Sequence, residues 1–243
     1  MDTSHSKFRQ LYLDTLKELI KPTDIDYLII SHTESDHSGL VRDILQMAPN
    51  ITVVGSKIAI QFLEKLVCNP FERKIIKNGD YLVLGDGHEL EFVIATNLHW
   101  PDTIFSYDHK IQILFTFNIF GLHYCTNSAF DEDLEAISPD YKFHHECLMA
   151  LNARSVVSAL KRMDAFNEID TIANDHGPLL HQNVKELIGL YRKWSQNKPR
   201  VGTNVGIFYI SEYGYSSNLV QAIAKDITKT EAIVKMVHLR GVC

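Results

Sequence analysis

Apolar positions along the chain change their spacing several times, and each change marks an element. "SKFRQLYLDTLKELI" places Phe8, Leu11, Leu13, Leu16, Leu19 and Ile20 at helical spacing and predicts an amphipathic helix, which "KPTDID" ends. "YLIISH" is a continuous apolar run of the kind found in strands covered on both faces. "SGLVRDILQMA" returns to helical spacing, "ITVVGS" is a second buried strand, and "KIAIQFLEKLV" is a further helix. The first seventy residues therefore read α–β–α–β–α, an α/β pattern. Then the spacing shortens. "YLVLGDGHELEFVIAT" predicts two strands joined by a Gly-Asp-Gly turn. "TIFSYDHKIQILFTF" predicts another pair, turning at Asp108-His109-Lys110. "ARSVVSALKRM" (helix), "IDTIAN" (strand) and "VKELIGLYRKWSQ" (helix) follow, and the polar "NKPRVGTN" reads as a linker. Beyond it, "VGIFYI", "SEYGYSS", "NLVQAIAKDI" and "EAIVKMVHL" read as strand, loop, helix and strand. No internal repeat or low-complexity segment interrupts this order. A lone β–α–β unit leaves sheet faces uncovered, so it is expected either to dock elsewhere or to be part of something longer.

Composition narrows the class without naming a chemistry. The 243 residues are 45% hydrophobic and 22% charged, which suits a water-facing globular protein with a sizeable core. The formal net charge of −6 gives no reason to expect nucleic acid or an anionic membrane as partner. No apolar run reaches the length of about 18 residues that a membrane span requires. The opening "MDTSHSKFRQ" lacks the apolar region of a secretory signal. Cys68, Cys125, Cys147 and Cys243 are far apart and form no CxxC pair, as expected for reduced thiols in a cytoplasmic protein.

Twelve histidines change the picture where they fall at strand ends. "SHTESDHSGL" holds His32, Glu34, Asp36 and His37 directly after an apolar strand. On an extended segment residues two apart share a face, so His32, Glu34 and Asp36 point together, and His37 starts the turn into the helix. Imidazole with carboxylate suits iron, zinc or manganese. His99 in "NLHWPDTIF" and His176 in "NDHGPLL" also follow predicted strands. Strand-end loops are where α/β folds place chemistry, and a site assembled from several of them needs this arrangement.

These segments carry a resemblance. HxExDH, then HWPD, then an "FG.H" segment, then HGP, together with "DYLIISHTESDHSGL", "NLHWPDTIFSYDH" and "ISEYGYSSNLVQAIAK", resemble the flavodiiron proteins, and most closely the diflavin flavoprotein (A-type) subclass of oxygenic phototrophs. The resemblance covers essentially the whole chain. It implies an α/β (αββα) metallo-β-lactamase-like domain with two non-haem irons, a flavodoxin-like FMN domain and, in that subclass, a flavin-reductase domain. It implies an oxidoreductase in electron transport, passing electrons from NAD(P)H through flavin to reduce O2 to water, or NO to nitrous oxide. It also implies a head-to-tail homo- or heterodimer, in which the FMN of one subunit serves the irons of the other. Carried over by position, His32, Glu34 and His99 match the ligands of one iron, and Asp36, His37 and His176 those of the other. His37 does not bind metal in every family member. Where the family has a bridging aspartate, "FTFNIFGLHYC" has Asn118 between Phe117 and Ile119. Asparagine offers one neutral carbonyl oxygen and an NH2 that cannot ligate, so the second metal and the inter-metal distance are expected to loosen. Asp175, beside His176, is expected to point away, since neighbours on an extended segment face opposite sides.

By the same resemblance, Ser211, Gly214, Ser216 and Ser217 match the FMN-phosphate loop; a helix N-terminus with hydroxyls suits phosphate. Tyr213 and Tyr215 beside them are of a type that stacks on a ring, though surface tyrosines are the commoner case. Residues 1–197 are expected to form the metal domain, lacking its first strands, and 198–243 the first β–α–β of the flavodoxin-like domain. The chain thus reads as truncated at both ends, with FMN held weakly or not at all. Two other readings stay open. One is a subunit impaired at Asn118, or shortened, with no activity alone. The other is a zinc hydrolase of the metallo-β-lactamase superfamily, against which Glu34 argues, because that superfamily commonly shows HxHxDH.

Overall fold

A computed structural model describes residues 1–166, 168–196, 203–230 and 232–239. Of the stretch read as a linker, residues 197–202 lie outside the described residues, as does Cys243. The chain divides into two compact units, Met1–Gln196 and Asn197–Cys243.

In the first unit, α1 (Arg9–Leu19), β1 (Tyr27–Ile29), α2 (Ser35–Ser38), α3 (Val41–Met47), β2 (Thr52–Ser56), α4 (Lys57–Val67) and β3 (Glu72–Ile76) come first. Strands β1, β2 and β3 form a parallel sheet in that order. Next come β4 (Tyr81–Gly85), β5 (His88–Ile94), β6 (Ile104–Asp108), β7 (Ile113–Phe117), α5 (Leu134–His144), α6 (Ala153–Met163), β8 (Thr171–Asn174) and α7 (Val184–Ser195). Strands β4 to β8 form a five-stranded sheet in sequence order, antiparallel except that β8 runs parallel to β7.

The two sheets lie face to face between two helical layers, and the side-chain alternation shows why. From the five-stranded sheet, Leu82, Leu90, Phe92 and Ile104 pack against Ile29, Val54 and Ile76 of the parallel sheet. On its other face Val93, Phe105, Leu114 and Ile172 meet Ile137 and Tyr141 of α5, Val156 and Leu160 of α6, and Leu187 and Tyr191 of α7. On the outer face of the parallel sheet, Leu28, Ile30 and Val53 meet Leu13 of α1, Ile44 of α3 and Ile60 and Leu63 of α4. Successive β-residues point to opposite faces, so an apolar strand such as β5 feeds two cores at once. The result is α/β/β/α.

Three local outcomes depart from the sequence reading. The helix expected over "SGLVRDILQMA" is split into α2 and α3, and α2 starts earlier, at Ser35. A Cβ at Gly39 would sit 2.5 Å from Ser35 O and 2.8 Å from Ser4 O, so the tight join between the two helices needs glycine. Strand β3, "ERKII", carries no apolar run because four of its five residues are exposed. Helix α5 holds Pro139 in its interior.

The second unit holds β9 (Asn204–Tyr209), α8 (Tyr215–Thr228) and β10 (Ile233–His238), with β9 and β10 parallel.

Candidate metal centre

The strand-end segment is fixed before any ligand chemistry begins. Past β1 the backbone stays tied to both sheets, Ile30 N donating to Val54 O (2.8 Å) and Ile104 N to Ser31 O (2.9 Å). Thr33 donates to the Asp102 carboxylate from both its amide and its hydroxyl, at 2.8 Å each. Asp2 accepts from the Ser31 amide (2.8 Å) and hydroxyl, and its Oδ2 lies 2.9 Å from His37 Nδ1. His37 therefore has one ring nitrogen anchored and presents the other, Nε2, inward. The HWPD turn is held by Thr103 Oγ1, which donates to Leu98 O (2.9 Å) and Trp100 O (3.0 Å).

All six candidate ligands gather into two adjacent clusters. Donor atoms of His32, Glu34 and His99 lie within 4.8 Å of one another, and so do those of Asp36, His37 and His176. Glu34 Oε2 is 3.1 Å from His99 Nε2 and 3.4 Å from His32 Nε2. Asp36 Oδ2 is 3.7 Å from His37 Nε2 and 3.8 Å from His176 Nε2. The His32 and His37 rings are 3.9 Å apart, which puts the clusters side by side. A cavity of about 750 Å³ opens beside Thr33, Glu34 and Trp100. Another of about 340 Å³ reaches Asp36, His37, Asp175 and His176.

Asn118 joins the same spot from the loop after β7. Phe117 and Phe120 take left-handed backbone conformations (φ +60° and +64°), uncommon for bulky residues, and so bend the chain sharply at Asn118. Asn118 is buried, its carbonyl accepts from His144 Nε2 (2.8 Å), and its side-chain nitrogen lies 2.9 Å from His32 Nε2. It engages the first cluster through an amide nitrogen, where a carboxylate would offer two oxygens.

The expectation that Asp175 points away is wrong. Its Oδ2 lies 2.6 Å from His37 Nε2 and 3.6 Å from His176 Nε2. The chain leaves β8 at Asn174 and turns at once: Asn174 Nδ2 donates to Pro178 O (3.0 Å), and Gly177 has φ +100°. Alternation holds only for extended backbone, and this segment is a turn.

Burial and neighbours set the charges. Burial, then the charged His37 beside it, holds His32 down to about 2, so this imidazole is neutral. Burial alone would lower His37, but the Asp175 and Asp2 carboxylates outweigh it and raise it to about 10. Burial would raise Asp175, but His37 outweighs it and holds the carboxyl below its ordinary range. Burial lowers His144 to about 4 against its bond to the Asn118 carbonyl.

The donor set fits divalent metal. Asp36 Oδ1 and His37 Nε2 are buried with no aligned hydrogen bond, although a buried polar atom is costly to leave unmatched. The 2.6 Å approach of Asp175 to His37 Nε2 is thus an ion pair lying off the ring N–H direction. Imidazoles and carboxylates in this proportion suit iron, manganese or zinc.

Three nearby residues escaped sequence reasoning. Asp2 and Asp102 act through hydrogen bonds to distant segments, and His144, on α5, reaches Asn118 only through the fold. "HWPD" gave the one usable signal, since Asp102 follows a strongly turned motif.

In the second unit, Gly214 (φ +83°) begins α8, and Ser211 Oγ accepts from the Ser217 amide at 3.2 Å. Ser211, Gly214, Ser216 and Ser217 thus share one loop and helix start. Tyr213 and Tyr215 are exposed. So are Cys68, Cys125 and Cys147, all free thiols. Among the described residues no helix is long and apolar enough to cross a membrane.

Residues 2–177 match the family model described as ODP family beta lactamase. A Nostoc sp. protein named as a diflavin flavoprotein A 3 is 65% identical over 239 residues, covering 98% of this chain and 42% of that protein. Diflavin flavoprotein A 1 of Synechocystis sp. is 58% identical over 239 residues, covering 98% of this chain and 42% of that protein. The chain therefore spans about two fifths of the length of these curated relatives. Among solved structures, a metal-soaked flavodiiron core from Synechocystis sp. superposes with a TM-score of 0.80 at 32% identity, covering 98% of this chain and 59% of that one. Rubredoxin oxygen:oxidoreductase from Desulfovibrio gigas shares the fold at a TM-score of 0.76 and 21% identity, with 98% and 60% covered.

Proposed function

The chain belongs to the ODP family of β-lactamase-fold proteins and, within it, to the diflavin flavodiiron proteins; from that premise we propose that it carries the di-iron centre of an oxidoreductase that reduces O2 to water. The observation behind this reading is the pair of adjacent three-donor clusters, His32–Glu34–His99 and Asp36–His37–His176. Bound there, two irons would supply electron transfer to a gas molecule; four electrons and four protons convert O2 to two waters. Glu34 joins two imidazoles in the first cluster, a harder donor set than the all-imidazole set of the zinc hydrolases. Asp2 anchors His37 so that Nε2 faces the second position. Burial holds His32 neutral, as a metal ligand must be, and the Asn118 amide nitrogen 2.9 Å from its Nε2 has to give way for that nitrogen to ligate. NAD(P)H is the proposed electron source and flavin the carrier, with NO as the alternative substrate and a head-to-tail dimer as the working assembly.

In this reading residues 1–197 are the metal domain and 198–243 open a flavodoxin-like domain. Ser211, Gly214, Ser216 and Ser217 then face the FMN phosphate at the start of α8, where backbone amides attract an anion. Asn118 favours a second reading, in which the centre is impaired and the chain works only beside a ligand-complete partner.

One experiment separates the two. The chain is loaded anaerobically with ferrous iron, given a flavin reductant, and followed with an oxygen electrode beside the Asn118→Asp variant. Oxygen uptake by the unaltered chain above free iron, lost in Glu34→Gln, supports the first reading. Uptake only in Asn118→Asp supports the second. None in either sinks the oxygen-reductase proposal for this chain.

A further inference from the structure

We propose that Asp175 is a ligand of the second metal ion, supplying beside Asp36, His37 and His176 the carboxylate that Asn118 cannot offer. This rests on the reading of the centre as a two-metal site and deepens it.

The geometry carries the argument. Asp175 Oδ2 lies 2.6 Å from His37 Nε2 and 3.6 Å from His176 Nε2, and both nitrogens also face Asp36 Oδ2, at 3.7 and 3.8 Å. Metal–ligand bonds of about 2.1 Å put neighbouring donors roughly 3.0–3.4 Å apart. Three of these separations exceed that range by a few tenths of an ångström and one falls short of it; Asp175 stands outside the three-donor group of Asp36, His37 and His176, so its carboxylate must turn toward Asp36 to close round one ion. An independent feature points the same way. His37 is 3% exposed, and its Nε2 is aimed into this cluster with no aligned hydrogen-bond partner, even with Asp175 this close. A side chain whose only task was to hold His37 would sit in line with the ring N–H, as Asp2 does on the other nitrogen.

Charge gives the reason such a ligand is needed. Two divalent ions bring four positive charges, and Glu34 and Asp36 return two. An aspartate at 118 would return a third, and Asn118 does not. Asp175 restores three. Its backbone makes this possible. Gly177 is left-handed, and a Cβ there would stand 2.6 Å from Leu122 O, while Leu122 N donates to His176 O (2.8 Å). The turn that carries Asp175 and His176 is thereby pinned to the segment following Asn118.

The test uses the full chain, ferrous iron and anaerobic equilibrium dialysis with elemental analysis, so that no activity is read. The unaltered chain should take up two ions. Asp175→Asn should keep one and bind the second at least tenfold more weakly, and Asp175→Asn/Asn118→Asp should recover two. Two ions bound equally well by Asp175→Asn overturn the proposal, even if the metal-free variant melts lower, because Asp175 then only pairs with His37. A loss that the carboxylate at 118 does not restore overturns it as well. Uptake of a single ion by both the unaltered chain and Asp175→Asn leaves the two-metal reading and this ligand both rejected. If the unaltered chain binds no iron, the metal-site reading itself fails and takes this proposal with it.

Discussion

Asp2 shows how much of the centre depends on residues that would never touch a metal. One carboxylate takes the Ser31 amide, the Ser31 hydroxyl and His37 Nδ1, and it is buried while doing so. Removing it leaves two buried donors and a charged ring without an acceptor. Asp2→Ala is therefore expected to destabilise the metal-free chain by about 3 kcal/mol, the order of cost for stranding buried hydrogen-bonding groups. Asp2→Asn, which keeps an acceptor oxygen, should cost less. Urea unfolding of the metal-free chain reads this directly, and an unchanged midpoint in Asp2→Ala would show the network to be dispensable. No pattern in the sequence marks Asp2, because its three partners lie about thirty residues away and a short polar segment gives no periodic signal. His32, Glu34, Asp36 and His37 were legible for the opposite reason: the strand that ends before them places all four within one turn of chain.

At the scale of elements, the sequence reading found the strands with two-sided burial most plainly, found β4, β9 and β10 as well, and missed β3 and α5. β1, β2 and β5 feed apolar side chains to two layers, so their runs stand out. β3 is an edge strand with only Ile76 buried, and α5 interrupts its helical spacing with Pro139, so neither carries the pattern that betrays such elements. Asp175 failed differently: strand alternation was extended past Asn174 into a turn where it no longer applies. That turn has its own requirement. Gly177 sits at φ +100°, and a Cβ would meet Leu122 O at 2.6 Å and the Leu122 side chain at 2.9 Å. Gly177→Ala is expected to cost about 2–4 kcal/mol, combining a disfavoured backbone conformation with overpacking against a segment that cannot retreat. It should also weaken binding at Asp36–His37–His176 more than at His32–Glu34–His99, because it displaces His176 and Asp175 alone. A melting temperature within about one degree of the parent's would mean the turn tolerates a side chain.

For the whole molecule, the two units differ in how much apolar surface they cover for themselves. The first closes three cores around its two sheets. The second has Val220, Ala224 and Ala232 buried, while Phe208, Ile210, Leu219, Ile223, Ile233 and Met236 are exposed. A two-stranded sheet covered by one helix secures little burial to offset the entropy of ordering it. Hydrogen exchange follows from this. Amides of β9 and β10 are held by the ladder between them, and opening that ladder exposes few buried side chains. Amides of β5, β6 and β7 open only when two apolar interfaces are lost together. Exchange in β9 and β10 should therefore outpace that in β5–β7 by about two orders of magnitude under native conditions, the spread expected between locally and globally opening segments. Peptide-resolved mass spectrometry of the full chain measures both at once. Equal protection in the two sets would require an additional covering surface for the second unit. Slower exchange in β9 and β10 on adding FMN, with β5–β7 unchanged, would locate flavin binding at the Ser211–Ser217 loop independently of any metal.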